Sequence, residues 1–329
     1  MQLSGAMRLL TLLGYLMVLT LTANADVTSH AAPVVNQNLA TQIALDRIGF
    51  SPGEIDGQAG RNLQRALAAF QRSRQIPATG QMNDDTRKQL GAAGGDVPPL
   101  VEYVTTDSDV AGPFTPTIPA NLPDQAALDA LGYRTPLEAL AERFHSSPAL
   151  LKQLNPDAMF RAGEHLMVPN VITPSASSAT PGATGTAGSI PGGDITVVVT
   201  KSTSALTIED PSGRVLFHAP VTSGSTHDPL PIGTWKVNGV QRNPKFHYNP
   251  QLFWDSTPGD RKATLQPGPN NPVGIVWIDL SKPHYGIHGT PEPSLIGHVE
   301  SHGCVRLTNW DADRVAQWVK PGTKVVFRQ

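Results

Sequence analysis

Residues 172–193, "ITPSASSATPGATGTAGSIPGG", carry no charge and no apolar period, and the chain changes character across them. Before this run apolar residues recur at helical spacing; after it they alternate. One layered domain does not switch period in this way, so the chain divides into units. The run itself has too little apolar surface to offset the entropy of ordering. It is expected to be a flexible tether of ~22 residues spanning on the order of 25 Å, separating the N-terminal units from the C-terminal one. A length of 329 residues allows two or three domains, and 30 Gly with 30 Pro favour turns and linkers over long helices. The net charge is −2 and no basic block exceeds two residues, which argues against nucleic acid as a partner.

The first 25 residues have the layout of an export signal: Arg8 as a short basic region, an apolar run from Leu9 to Leu21, and "ANA" at 23–25 as a small-x-small cleavage site. The apolar run is shorter than the ~20 residues a spanning helix needs, so no integral membrane segment is expected after cleavage. No cysteine follows the site, so a lipid anchor there is not expected. The mature chain is expected to be secreted, periplasmic or cell-wall associated.

Between 36 and 92 the pattern predicts three short helices joined by two Gly-rich turns. Leu39, Ile43 and Ile48 mark the first helix, Leu63, Leu67 and Phe70 the second, and Thr86 with Leu90 the third. The residues Ile55-Asp56-Gly57, Gly60, Ala66, Phe70-Gln71, Thr79-Gly80 and Thr86 to Leu90 resemble the three-helix peptidoglycan-binding domain. After a connector at 93–120, residues 121–171 predict a second unit. Leu137, Leu140 and Phe144 share one helical face, Ser147 and Pro148 open a further helix, and "FRAGEHLMVPN" alternates into a strand. With "LNP" and "AGEHLMVPN" this unit resembles a LysM glycan-binding repeat, whose usual first strand is not adjacent; "VEYVTT" at 101–106 is the candidate for it.

From 194 to 329 strand follows strand: "ITVVVT", "ALTIED" and "RVLFHAPV" around a Pro-Ser-Gly turn, "GTWKVNGV", "GIVWIDL", "YGIHG" and "TKVVF". One late helix, about Asn309 to Val319, has Asn309 as its expected cap. The fold class is therefore multidomain: a three-helix domain, a LysM-like α+β module, and a mainly-β, sandwich-like or barrel-like domain with one C-terminal helix. The stretch 241–272 is aromatic, Pro-rich and long enough to act as a lid, with Phe246, Tyr248 and Trp254 expected to pack within it rather than hold substrate.

The single cysteine, Cys304, lies among His284, His288, His298 and His302. In an oxidising compartment one thiol cannot close an internal disulfide, so composition leaves a buried structural cysteine, an intermolecular bridge or a reactive nucleophile. Nucleophilic chemistry needs the thiolate, and an adjacent imidazole can take the proton and hold the ion pair. His288, at a predicted strand end, is the candidate base. Gly303 marks a sharp turn in which backbone N–H groups from His302 to Cys304 converge, the geometry of an oxyanion hole. His302 is expected to help hold the site. His284 and His298 are expected at the surface or on the lid.

"HGT" at 288–290 and "SHGCVRL" at 301–307, with "LPIGTWKV" and "NPVGIVWIDL" upstream, resemble the L,D-transpeptidase catalytic domain over 194–329. The resemblance implies that Cys304 attacks the L-to-D bond of a peptidoglycan tetrapeptide stem, expels D-alanine and forms a thioester. A side-chain amine of a second stem then resolves it as a 3→3 crosslink. It further implies that the Gly289 carbonyl orients His288 and that Arg306 binds a donor carboxylate. Ser301 is placed in the substrate-binding set, with a turn role as its alternative. No metal or organic cofactor is implied. Other acyl acceptors stay open: a lipoprotein lysine, a D-amino acid, or water, which makes a carboxypeptidase. Two rivals come from other classes, a zinc site built from the thiol and imidazoles and a non-catalytic wall-binding protein.

Overall fold

The first helical unit begins where Asn36 caps it, its side-chain oxygen accepting from the Leu39 N–H at 2.8 Å to open α1 (Gln37–Arg47). Helices α2 (Arg61–Ser73) and α3 (Asp84–Gly94) follow, and Leu45, Phe50, Leu63, Leu67, Phe70 and Leu90 form their common core. Gln71 is buried in α2 because its amide closes the second turn. It donates to Gln81 O and Thr86 Oγ1, both at 2.8 Å, and accepts from the Gly80 N–H at 2.9 Å. Buried polar groups persist only when paired in this way, which explains why Gln71, Gly80 and Thr86 occur together. The computed structural model describes residues 35–94, 97–171, 194–256 and 259–329. The expected export signal at 1–25 and the expected tether at 172–193 lie outside the described residues.

The second unit is longer than the boundary at 121 suggests. Strand β1 (Leu100–Val104) pairs antiparallel with β2 (His165–Pro169), Leu100 opposite Pro169. Between them lie α4 (Asp107–Val110), α5 (Leu122–Gln125), α6 (Pro136–Arg143) and α7 (Pro148–Leu154). Thr135 and Ser147 cap α6 and α7, each with Pro at the start of the helix. The expected connector is thus partly strand, paired across more than sixty residues. Leu39, Ile43 and Ile55 of the first unit share a core with Leu140, Phe144, Leu151, Leu166 and Val168 of the second, so the two are not separate beads.

After residue 193 the strands are β3 (Thr196–Thr200), β4 (Ala205–Glu209), β5 (Val215–Pro220), β6 (Thr222–Ser223), β7 (Gly233–Arg242), β8 (Phe246–Tyr248), β9 (Ala263–Leu265), β10 (Val276–Leu280), β11 (Gly286–His288), β12 (Val305–Arg306) and β13 (Lys324–Arg328). Nine of these form one sheet in the order β5-β4-β3-β13-β7-β10-β11-β12-β6. Long β7 serves both halves: Gly233 to Lys236 face β13, and Val237 to Arg242 face β10. The two edge strands, β5 and β6, are consecutive in sequence, so the sheet curls until its ends adjoin. Helix α8 (Asn309–Trp318) closes one side. Val197, Leu206 and Phe217 from one half, Ile278, Ile287 and Val305 from the other, and Val315 from α8 meet in one core. The α8 cap is Thr308, one residue before the expected Asn309, its Oγ1 accepting from the Asp311 N–H.

The helical units dock directly on this β domain, and the described residues from 35 onward fall in one compact unit. The separation expected of a tether is not what these contacts show. Gly49 to Ser51 lie along edge strand β5, with Ser51 N donating to His218 O and His218 N to Gly49 O, both at 2.9 Å. Covering an edge removes its unpaired backbone groups from solvent. Asn62 of α2 donates to Ile296 O at 2.8 Å. The segment after α4 packs on hairpin β8–β9, where Leu131, Tyr248 and Leu265 are buried together with Ile118, Leu122 and Phe253 packed against them.

Candidate active site

Strands β11 and β12 are parallel, Ile287 opposite Val305 and His288 opposite Arg306. Parallel neighbours need a long crossover, and residues 289–304 supply it. This is why the two halves of the motif lie sixteen residues apart in sequence yet side by side in space. Arg306, opposite His288, projects to the same face of the sheet, and Cys304 stands one residue before β12 with its thiol at the Gly286 N–H.

His288 is buried at 4 % exposure. Its Nδ1 lies 2.7 Å from the Gly289 carbonyl oxygen. A carbonyl only accepts, so Nδ1 carries the proton and Nε2 presents a lone pair. Trp277, directly opposite on β10, stacks on the ring at 5.5 Å. Gly286 leaves room for that indole, since a Cβ there would lie 2.5 Å from it. Burial, reinforced by the nearby Arg306 charge, pulls the His288 pKa down to about 3. The ring is neutral at physiological pH.

Cys304 is half-buried and free. Burial pushes its thiol up, with Asp228 adding to the shift, while the Gly286 N–H and the Arg306 charge pull the other way without prevailing. Its Sγ also lies 3.8 Å from His284 O, and His284 adopts a left-handed φ of 65°. The thiol and the imidazole are therefore both neutral at rest, so the ion pair expected from the sequence is not preformed. Gly303 takes φ 99°, and a side chain there would meet the Tyr285 ring at 2.9 Å. The sharp turn before the thiol is thus real and requires glycine.

Ser301 departs from its substrate-binding assignment. It is 2 % exposed, its Oγ donates to Cys304 O at 2.7 Å, and the same oxygen accepts from the Gly224 N–H at 2.8 Å. Both capacities are used in bracing the turn. His302 reaches a residue that sequence reasoning missed: its Nε2 lies 2.7 Å from Asp255 Oδ1 in the 241–272 segment. Phe253 meets the His302 ring edge-on at 5.0 Å, while exposed Trp254 stacks on His227 at 4.3 Å. Arg306 has a buried Nε without a hydrogen-bond partner among the described residues. Exposed His298 sits on the crossover. Among the described residues no three His, Cys, Asp or Glu are grouped to hold a metal ion.

A family model described as the L,D-transpeptidase catalytic domain matches residues 194–327, and one described as a peptidoglycan binding domain matches 39–90. YqjB of Bacillus subtilis (strain 168), named as an L,D-transpeptidase, is 30% identical over 141 residues, covering 41% of this chain and 72% of its own. The chain belongs to the L,D-transpeptidase family. YkuD of the same organism, named likewise, is 29% identical over 195 residues, 59% of this chain and 93% of its own. Among solved structures, an L,D-transpeptidase from Mycobacterium smegmatis aligns with 42% of this chain and 60% of that chain, at 19% identity and a TM-score of 0.34.

As a member of this family the chain carries its motif on strand ends whose neighbours are set by distant segments. Asp255 and Trp277 had no signal in the sequence as site residues. Trp277 was legible only as part of strand "GIVWIDL", and Asp255 only as part of a long loop.

Proposed function

We propose that Cys304 is the nucleophile of an acyl transfer on peptidoglycan stem peptides, with His288 as its general base. The observation that carries this reading is the hydrogen bond from His288 Nδ1 to Gly289 O, with the Cys304 thiol one residue before the neighbouring parallel strand β12. It leaves Nε2 as the acceptor, and the low pKa of the ring keeps that lone pair free.

With both groups neutral, proton transfer accompanies attack. As Sγ bonds to the carbonyl carbon of the L-to-D peptide bond, its proton passes to His288 Nε2. The oxyanion is held by backbone N–H groups of the Gly303–Cys304 turn. Collapse breaks the C–N bond, D-alanine leaves with the proton from His288, and a thioester remains on Cys304. An acceptor amine then attacks the thioester, gives its proton to His288, and forms the new amide as Sγ leaves and is reprotonated. With a stem side chain as acceptor the product is a 3→3 crosslink. Arg306, its Nε unpaired, is the group available to a donor carboxylate.

The 39–90 match supports peptidoglycan as the partner of the first unit. The strand-helix-helix-strand frame of β1, α6, α7 and β2, with α4 and α5 inserted after β1, supports a LysM-like glycan-binding reading of the second. The family implies work outside the cytoplasm; among the described residues no helix is long and apolar enough to cross a membrane.

The test is intact-protein mass spectrometry after incubation with a disaccharide-tetrapeptide, with Cys304→Ser alongside and chromatography of the products. A thioester on Cys304, loss of D-alanine and a dimeric product support transpeptidation. A tripeptide product alone makes the enzyme a carboxypeptidase, and no adduct with chelator-sensitive activity overturns the cysteine mechanism.

A further inference from the structure

Asn309, the first residue of α8, is completely buried, and its side-chain amide touches two distant segments, residues 269–275 and α6. Oδ1 accepts from the Ile275 N–H at 3.2 Å. Nδ2 donates to Pro269 O at 3.1 Å and to both carboxylate oxygens of Glu142, at 3.2 and 3.1 Å. Glu142 lies on α6, in the second N-terminal unit, 167 residues away. We propose that Glu142 is a positioning residue for His288, acting through the Asn309 amide and the Gly289 peptide. The proposal rests on the reading of His288 as the base.

The link is steric. A Cβ on Gly289 or on Gly274 would overlap Asn309 Oδ1, and one on Gly274 would also lie 2.7 Å from the Gly289 carbonyl carbon. The amide oxygen is therefore wedged between two glycine backbones. One of them, Gly289, carries the carbonyl that accepts from His288 Nδ1. Close-packed interiors do not absorb such shifts locally, so moving the Asn309 amide moves the Gly289 peptide and with it the hydrogen bond that sets the His288 tautomer.

Glu142, together with the Ile275 N–H and Pro269 O, sets which way the Asn309 amide faces. Turned over, its NH₂ would confront the Ile275 N–H, and its oxygen would confront a carboxylate and a carbonyl. Tyr133 OH also donates to Glu142 Oε1, at 2.9 Å, so the Tyr133 hydroxyl and the Asn309 amide both approach this carboxylate as donors. That suits the ionised form, which only accepts. The other ionisable group bearing on it is Glu138, itself bonded to Arg134. Burial raises the Glu142 pKa to about 7, with the Asn309 and Tyr133 bonds opposing the rise and Glu138 adding to it. The second unit would then couple the catalytic histidine to the protonation of a residue outside the catalytic domain.

The experiment compares full-length wild type, Glu142→Gln and Tyr133→Phe at pH 8. The ¹⁵N spectrum of the His288 imidazole reports its tautomer without substrate, and the kinetics of acylation by disaccharide-tetrapeptide give kcat and KM. Glutamine keeps the shape but turns an NH₂ toward a donor. The expected result for Glu142→Gln is loss of the single Nδ1–H tautomer and a fall in kcat of about tenfold to a hundredfold with KM unchanged. Tyr133→Phe, which keeps the carboxylate, shifts both readouts in the same direction by less. An unchanged tautomer and rate in folded Glu142→Gln overturns the proposal, as does a rate loss that merely tracks the folded fraction. If wild type forms no adduct but the tautomer responds to Glu142→Gln, the transpeptidase reading fails and the positioning role stands.

Discussion

Arg314 of α8 holds Asp46 of α1 through two hydrogen bonds, 2.9 Å to one carboxylate oxygen and 3.0 Å to the other. His145 of the second unit adds Nδ1 at 2.9 Å from Asp46 Oδ2 and stacks on Trp310 at 5.2 Å. One buried carboxylate thus joins all three parts of the chain.

Breaking that pair leaves a buried charge alone. Arg314→Ala is expected to cost about 3–5 kcal/mol at pH 7, read by denaturant unfolding. Burial would raise the Asp46 pKa, but Arg314 and His145 outweigh it and hold the group well below the ordinary carboxylate range. A depressed acid contributes stability above its unfolded pKa and loses it on acidification. The advantage of wild type over Asp46→Asn should therefore shrink below about pH 4; a constant difference down to pH 2 would contradict this.

Asp311 has the opposite sign. Its Oδ2 accepts from Ser51 and Thr308, both at 2.8 Å, but its buried Oδ1 has no hydrogen-bond partner among the described residues, only the Arg314 guanidinium at 3.9 Å. Burial, with Asp46 nearby, raises its pKa to about 7 despite Arg314. A raised acid contributes stability below its unfolded pKa and loses it as pH climbs to the folded value. Asp311→Asn should gain on wild type between about pH 4 and pH 7, by a few kcal/mol at about 1.4 per pH unit. Melting curves across that range check it, and a gain on acidification would refute it.

Cys304 should alkylate slowly. Because burial raises its thiol and His288 stays neutral, the iodoacetamide rate is expected to rise with a midpoint above that of an ordinary thiol. A midpoint below pH 7 would mean a preformed thiolate–imidazolium pair and remove the concerted step.

Cys304→Ala should abolish the acyl adduct while leaving sedimentation with sacculi intact, since the thiol lies outside the 39–90 unit. Equal loss of both would sink the division of labour between units.

Deleting 36–171 should not spare the catalytic domain, contrary to what a tethered anchor would predict. It strips Gly49 to Ser51 from edge β5, uncovers Asp311, and removes Glu142 from Asn309. The isolated 194–329 fragment is expected to melt well below the full chain and to acylate more slowly on soluble stems. Equal melting temperature and rate would restore the tether picture.

What the sequence determined by itself is whatever repeats locally or is spelled in a short run. Alternation marked β3, β4, β10 and β13, Ser147 with Pro148 marked the start of α7, and the spacing around Gln71 marked the three-helix unit. The lone thiol among histidines singled out Cys304 and His288 as candidates, and the Gly289 carbonyl entered only with the family resemblance carried by "HGT" and "SHGCVRL". Two-residue β6 and β12 carry too few residues to show a period, so they stayed hidden.

Only the tertiary structure decided which distant polar groups meet. Asp46 with Arg314, Glu142 with Asn309, and Asp255 with His302 have no period and no fixed spacing. Ser301 looked available for substrate until its neighbours Gly224 and Cys304 took its hydroxyl. Apolar patterning tells a residue which face to bury, but a hydrogen bond is made to one particular atom, and the fold alone brings that atom within about 3 Å.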